Sequence, residues 1–159
     1  EEEARTPAAP LSPQSLSSFI EQLEGAANLY REAVREGAFQ PWLRDHTILD
    51  LHGMSLEVAK VAVYDAIELM SREQGSAGVK SAMYRGLRII VGRGLHSDKG
   101  VAVIAPAIED MLIDDFGIRL RRSGDPSDPR NLGSIRIHAK ELKRVVERGG
   151  LQALRVQDY

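Results

Sequence analysis

Cysteine is absent from the 159 residues, which excludes disulfide bonds, a cysteine nucleophile and cysteine-ligated zinc. This absence fits a reducing compartment. No apolar run approaches the roughly 20 residues of a membrane-spanning helix, so no membrane partner is expected. Aromatic residues make up only 5% of the chain against 43% hydrophobic residues in total, so aliphatic side chains must fill the core. A chain of this length is expected to form one domain with extensions.

The net charge of −2 is unevenly distributed. Residues 1–46 carry four arginines against eight acidic residues, whereas residues 47–149 carry sixteen basic against fourteen acidic residues. This mild basic excess is too small for strong nonspecific binding to nucleic acid, so a neighbouring module is expected to supply most of the affinity. The chain begins with three glutamates and no methionine, which is typical of a segment cut from a longer protein.

The first 46 residues divide into a linker and a helix. Residues 1–13 are polar and proline-rich, which predicts a disordered linker. Residues 14–46 are predicted to hold an N-terminal helix that starts at a Ser12 or Ser15 cap and ends near Glu36. Its inward stripe repeats at helical spacing and consists of Phe19, Leu23, Ala27, Tyr30 and Val34.

Residues 47–149 are predicted to form an α/β domain. The predicted strands cover 47–51, 86–91, 117–122 and 133–137, and the predicted helices cover 56–71, 100–116 and 139–148. Ser55 is expected to cap the first of these helices, residues 75–78 are expected to form a loop, and residues 150–159 a C-terminal tail. Pro106 predicts either a late start or a kink in the second helix.

This order, βαβαββ, predicts a mixed four-stranded sheet packed on helices as a two-layer sandwich, with one additional helix at each end. Strands joined by helical crossovers run parallel, and ligands collect beyond the carboxyl ends of such strands. Two motifs follow strands at those ends, LDLHG at 49–53 and GRGLHS at 92–97. They are therefore expected to meet in space.

Asp50 and His52 are the first pair with catalytic potential. They lie two residues apart near a strand end, which puts both side chains on one face. A carboxylate beside an imidazole can orient the ring, and the pair can activate water or a 2′-hydroxyl, or protonate a leaving oxygen. The alternative is that Asp50 hydrogen-bonds the loop backbone and shapes the turn.

The second motif is suited to a phosphate. Gly92 and Gly94 allow close backbone approach, and Arg93 between them offers a bidentate fork. Gly53, which closes the first motif, is included in the same predicted phosphate site. The alternative is a plain glycine turn between a strand and a helix.

Three further residues follow this loop. His96 is a candidate general acid or, when protonated, a phosphate donor. Ser97 is assigned to the phosphate site, although a helix cap is the favoured structural role. Lys99 is placed to reach a nucleic-acid backbone, and an ordinary solvated lysine is its alternative.

Together the two motifs resemble the Smr (small MutS-related) domain, a family with an LDLHG segment followed by a GxG segment that continues as GxGxHS in many eukaryotic members. The resemblance covers roughly residues 47–137. It implies a small α/β domain similar to the C-terminal domain of bacterial translation initiation factor 3. It also implies an endonuclease that nicks DNA or cuts RNA.

Residues 27–37 are similar to the second helix of a pentatricopeptide (PPR) repeat, although an ordinary amphipathic helix is an equal alternative. The PPR resemblance implies a plant or algal PPR-Smr protein of the chloroplast or mitochondrion, with RNA-binding repeats upstream. Without that resemblance, only an intracellular location is expected.

The leading hypothesis is an endoribonuclease that hydrolyses phosphodiester bonds. The alternatives are a non-catalytic RNA- or DNA-binding module, a DNA-nicking endonuclease of a repair or recombination protein, and a protein-interaction domain. Asp50 is the one acid clearly within the motifs, so no dedicated metal ligands are assigned, and a single Mg²⁺ shared with phosphate stays open. Arginines near the second and third predicted strands either follow the nucleic acid or are merely solvated; they are Arg85, Arg88, Arg119, Arg121 and Arg122.

Overall fold

The chain folds into helices and a mixed sheet in the computed structural model, which describes residues 11–92, 103–120 and 133–156. The helices are α1 (Pro13–Arg35), α2 (Leu56–Arg72), α3 (Ala77–Arg85), α4 (Ile104–Asp110) and α5 (Ala139–Glu147). The strands are β1 (Ile48–Asp50), β2 (Leu87–Ile90) and β3 (Ser134–Ile137). A π-helical turn (Met111–Asp115) continues α4, and a 3₁₀ segment (Leu151–Val156) follows α5. The described residues thus form a mixed α/β structure.

The described strands form one sheet in the order β1-β2-β3. β1 pairs with β2 in parallel, as the helical crossover between them requires, and β2 pairs with β3 antiparallel. The segment before β1 lies along its outer edge, where the Leu43 N–H donates to the Ile48 carbonyl at 3.2 Å and the Asp50 N–H donates to the Pro41 carbonyl at 2.6 Å. The predicted mixed sheet with a parallel pair is confirmed.

The two faces of this sheet differ in burial. Leu49, Ile89 and Ile135 belong to the core, whereas Arg88 and Arg136 between such positions are exposed. Because side chains alternate across a strand, the sheet has one apolar face against the helices and one face open to solvent.

The predicted helix starts at Ser12 and Ser55 are confirmed. The Ser12 hydroxyl accepts from the Ser15 N–H at 3.2 Å, and the Ser55 hydroxyl accepts from the Val58 N–H at 3.3 Å. Each hydroxyl satisfies one of the N–H groups that a helix start leaves without a partner.

The loop predicted at residues 75–78 is confirmed for 75 and 76 but wrong for 77 and 78, because Ser76 caps α3 with a hydrogen bond from the Val79 N–H. Gly78 lies in the first turn of this helix. A side chain there would overlap the imidazole of His46, so the glycine leaves the space that this ring occupies. Gly78 suggested a loop from the local sequence, but its role is to make room for His46 in the tertiary structure.

The second predicted helix begins late, with Pro106 in the first turn of α4, where a missing N–H costs nothing. The strand predicted at 117–122 is wrong over residues 117–120, and residues 121–122 lie outside the described part. The Ile118 N–H donates instead to the Leu112 carbonyl at 2.8 Å, and the Arg119 N–H donates to the Glu141 carboxylate at 3.1 Å. These bonds occupy donors that a sheet would need.

Polar contacts fasten α1 to α2. Arg31 pairs with Glu24 at 3.0 Å and with Asp65 at 2.6 Å, and Asp65 also pairs with Arg72. The buried Tyr64 hydroxyl donates to Glu24 at 2.6 Å. Burial alone would raise the pKa of Glu24, but hydrogen bonds from Arg31 and Tyr64 outweigh it and lower that pKa.

The apolar stripe of α1 packs into the core that the sheet and α2 share, with Ile20, Leu23, Ala27 and Tyr30 all buried. Residues 14–46, predicted as a separate N-terminal unit, thus supply part of that core. None of the described helices combines the length and apolarity needed to cross a membrane.

The chain after α5 also packs on the domain. Leu151 is fully buried, and its N–H donates to the carboxylate of Glu68, an acidic side chain of α2 that is only 6% exposed. A Cβ on Gly150 would lie 2.9 Å from the Glu68 carboxylate, so a glycine lets the chain approach this closely. Part of the predicted tail, residues 150–159, is therefore anchored.

Burial raises the pKa of Glu68, although the Leu151 N–H counteracts this effect. Because this pKa is raised in the folded state, it stabilises the fold at pH values below the ordinary glutamate pKa of 4.5, and that contribution is lost as the pH rises through the folded-state pKa. Glu68→Gln keeps an oxygen acceptor but does not titrate. We expect the stability of the variant relative to wild type to increase as the pH rises above 4.5, measured by urea denaturation. A stability difference that does not change with pH would contradict this assignment.

Candidate nucleic-acid interface

The two sequence motifs follow neighbouring parallel strands. Asp50, the last residue of β1, is in register with Ile90, the last residue of β2. The Leu51 N–H donates to the Ile90 carbonyl at 2.8 Å, which continues the pairing past the end of β1. The chain therefore leaves both strands at the same edge of the sheet, as the parallel topology predicts.

A tight turn follows β1. The Asp50 Oδ1 atom accepts from the His52 backbone N–H at 2.9 Å, and the Met54 N–H donates to the Leu51 carbonyl at 3.0 Å. Gly53 has φ +80°, a left-handed conformation that glycine adopts without strain. Because Leu51 is completely buried, it anchors the turn and leaves His52 exposed beside it.

Asp50 therefore has the turn-shaping contact that the sequence allowed as an alternative. Within the described residues, its carboxylate bonds the backbone of His52, and no hydrogen bond joins it to the imidazole ring. Only Oδ1 is used in this way, and a carboxylate offers further acceptor positions on its other oxygen. Asp50 itself is half-buried at the sheet edge.

Gly92 begins the second motif at the same place. Its φ is +80°, and a Cβ built on it would lie 4.0 Å from the His52 Cδ2 atom. The preceding Val91 N–H donates to the Gly133 carbonyl at 2.8 Å, which ties this turn to the sheet. The exposed imidazole and the first glycine of the loop are thus neighbours although they are 40 positions apart in the sequence.

The structure thus brings together Asp50, His52, Gly53 and Gly92 of the predicted site. The remaining predicted site residues lie outside the described residues; they are Arg93, Gly94, His96, Ser97 and Lys99.

Among the described residues, no group of three or more histidine, aspartate or glutamate side chains is arranged to hold a metal ion. Asp114 and Asp115 lie in the π-helical turn after α4. Burial, and then the charge of Asp114, raise the pKa of Asp115, which disfavours the carboxylate form that a metal ligand requires.

The arginines predicted to contact nucleic acid do not all lie together in the structure. Arg85 and Arg88 line a cleft of about 240 Å³ together with Arg44 and Arg136, two residues that the sequence analysis did not select. The alternation of Arg136 with the apolar Ile135 and Ile137 was the signal that could have identified it. Arg119 does not line this cleft, since its backbone N–H bonds Glu141 of α5. Arg121 and Arg122 lie outside the described residues.

Comparisons of the chain with models of known families, with curated proteins and with solved structures gave no match. Hypotheses about its function therefore depend on its own residues and their geometry.

Proposed function

We propose that this chain is a nucleic-acid-processing domain of the Smr type that hydrolyses phosphodiester bonds of RNA. Asp50 accepts a proton from the attacking water, and His52 donates one to the leaving oxygen. Gly53, Gly92 and Gly94 admit the phosphate close to the backbone, where Arg93 binds it and Ser97 and Lys99 extend the contact. His96 assists as a second acid. The two-layer sandwich predicted from the order of helices and strands is part of this proposal.

The observation that carries the proposal is the position of His52 beside Gly92, with Asp50 at the end of the adjoining strand. A general acid–base pair must lie within reach of the phosphate that a glycine loop holds. The parallel pairing of β1 and β2 supports such an arrangement, because both motifs leave the sheet at one edge.

The proposal extends to the longer protein. RNA is preferred over DNA because of the PPR-like segment at residues 27–37. On that basis the parent protein is an organellar PPR-Smr protein of the chloroplast or mitochondrion, whose upstream repeats select the RNA.

A second candidate, a non-catalytic nucleic-acid-binding module, is favoured by one specific contact. The Asp50 carboxylate bonds the His52 backbone N–H rather than the imidazole. If this structural role is its whole role, the motifs bind phosphate and perform no proton transfer.

The decisive experiment incubates the purified protein with end-labelled single-stranded RNA, with matched single-stranded DNA and with supercoiled DNA. Each substrate is tested with Mg²⁺ and with EDTA. We expect wild type to cut RNA and Asp50→Ala to lose at least about 100-fold in rate. The comparison of Mg²⁺ and EDTA determines whether the reaction needs the metal.

Glu147→Ala is the matched control, since it also removes an exposed acid but lies at the end of α5, outside the site. It is expected to cut RNA like wild type. If wild type bound RNA without cutting it, the chain would be a non-catalytic binding module. If it nicked only DNA, its substrate would be DNA and not RNA.

A further inference from the structure

A second charged feature lies on the open face of the sheet. Four exposed arginines, Arg44, Arg85, Arg88 and Arg136, surround the cleft of about 240 Å³ described above. Within the described part of the chain, none of these guanidinium groups has a salt bridge or a hydrogen bond. The acid next to Arg44 in sequence, Asp45, accepts hydrogen bonds from Thr47 instead.

The register of the sheet brings two of these charges face to face. Arg88 on β2 is paired directly with Arg136 on β3. Like charges directly opposite each other destabilise an antiparallel pair, so this arrangement costs stability unless an anion lies between them. Guanidinium groups match phosphate with two parallel hydrogen bonds.

The cleft has the size and lining for a phosphate group. Its volume of about 240 Å³ is below the range typical of small-molecule pockets, and the exposed arginines outnumber its apolar side chains. Gly86, Thr47 and Ile48 complete the lining between the arginines.

The cleft also aligns with the proposed site. Ile48, Arg88 and Arg136 form one row across the sheet, and Asp50, Ile90 and Ser134 form the next row on the same face. Rows two residues apart along a strand are separated by about 6.6 Å. A single nucleic-acid strand lying on this face can therefore bind the arginines through one phosphate while a neighbouring phosphodiester lies near Asp50.

We infer that this arginine cleft binds the backbone of single-stranded RNA next to the phosphodiester on which Asp50 acts. The inference rests on the proposed function because it assigns the same ligand. Tyr84 favours this ligand over other polyanions, since it precedes Arg85 and its side chain is 85% exposed. Exposed aromatic rings stack on the bases of single strands, whereas an acidic peptide offers no such ring.

The test measures binding of fluorescein-labelled oligouridylate of about twelve nucleotides by anisotropy. All proteins carry Asp50→Ala and the buffer contains EDTA, so no cleavage interferes. The double variant Arg88→Gln/Arg136→Gln is expected to weaken binding roughly tenfold or more at 0.1 M salt. Its slope of log affinity against log salt should fall by about 1.4, because each phosphate contact in a single strand contributes about 0.7.

The matched control is Lys80→Gln/Lys143→Gln, which removes the same charge from exposed positions outside the cleft. It should change affinity by less than about twofold. Equal losses of RNA affinity in the two double variants, or no loss in either, would contradict RNA binding by the cleft. A purely structural role would lower the Tm of Arg88→Gln/Arg136→Gln, whereas relief of like-charge repulsion predicts no fall.

Tyr84→Ala distinguishes RNA from other anions. It should weaken RNA binding at least about fivefold with an unchanged salt slope, because stacking releases no counterions. Polyglutamate is the comparison probe. Arginine-dependent binding of polyglutamate without binding of RNA would overturn the inference in favour of an acidic protein segment.

The experiments distinguish a wrong assignment of RNA binding to the cleft from a wrong assignment of endonuclease activity. RNA binding that depends on Arg88 and Arg136, without cleavage by protein that retains Asp50, would support the cleft and contradict the proposed endonuclease. Cleavage that depends on Asp50, with RNA affinity independent of the two arginines, would support the endonuclease and overturn the cleft.

Discussion

Asp50→Asn is expected to reduce RNA cleavage about 10²- to 10⁴-fold while the protein stays folded. The asparagine amide oxygen can still accept the hydrogen bond that the Asp50 carboxylate receives from the His52 N–H. The amide has no basicity, so it cannot accept a proton from water. The Tm of Asp50→Asn should stay within about 3 °C of that of wild type, since a hydrogen bond to a neutral amide replaces a hydrogen bond to a carboxylate.

This substitution separates the two roles of Asp50 better than alanine does. Asp50→Ala removes both the turn contact and the carboxylate, whereas Asp50→Asn removes only the charge. Cleavage by Asp50→Asn at the wild-type rate would show that Asp50 serves the turn alone, and the general base would then have to be sought among other residues.

Gly86→Ala is expected to destabilise the protein by at least about 3 kcal/mol, with a fall in Tm of about 6–12 °C. Gly86 ends α3 with φ 88° and ψ 178°, a backbone region that is essentially restricted to glycine. A Cβ there would lie 2.6 Å from the Ile137 carbonyl oxygen and 3.3 Å from the Ala139 N. Both are backbone atoms at the junction of β3 and α5, so relief requires moving the sheet.

Gly25→Ala is the matched control for this prediction. Gly25 lies inside α1 and has ordinary helical surroundings, with nothing within 4 Å of the added Cβ. Alanine there should stabilise the helix by about 0.5–1 kcal/mol. Thermal unfolding should therefore shift in opposite directions for the two variants. A small effect of Gly86→Ala would mean that the α3–β2 junction has room to adjust.

Local sequence patterns predicted those elements whose signals are complete within one segment. Helical patterns predicted α1, α2 and α5, and strand patterns predicted β1, β2 and β3. The serines at 12 and 55 predicted the starts of two helices, since a cap acts on N–H groups two or three residues away.

Patterns failed where a distant partner decided the structure. The segment at 117–120 alternates like a strand, but its N–H groups bond Leu112 and the Glu141 side chain. α3 was missed because Gly75 and Gly78 suggest a loop, although Gly78 instead makes room for His46. Burial of Glu68 likewise depends on Leu151, 83 residues further along the chain.

The sequence by itself determined the motifs at 49–53 and 92–97, their positions after strands, and hence their expected meeting. Parallel pairing was implied by the helical crossover, so convergence at one edge could be predicted without coordinates. Only the tertiary structure decided that the Asp50 carboxylate bonds the His52 backbone, because strand alternation leaves the orientation of a side chain in a turn open. Only the structure decided that Arg88 faces Arg136, because register between residues 48 positions apart is set by packing of the whole sheet.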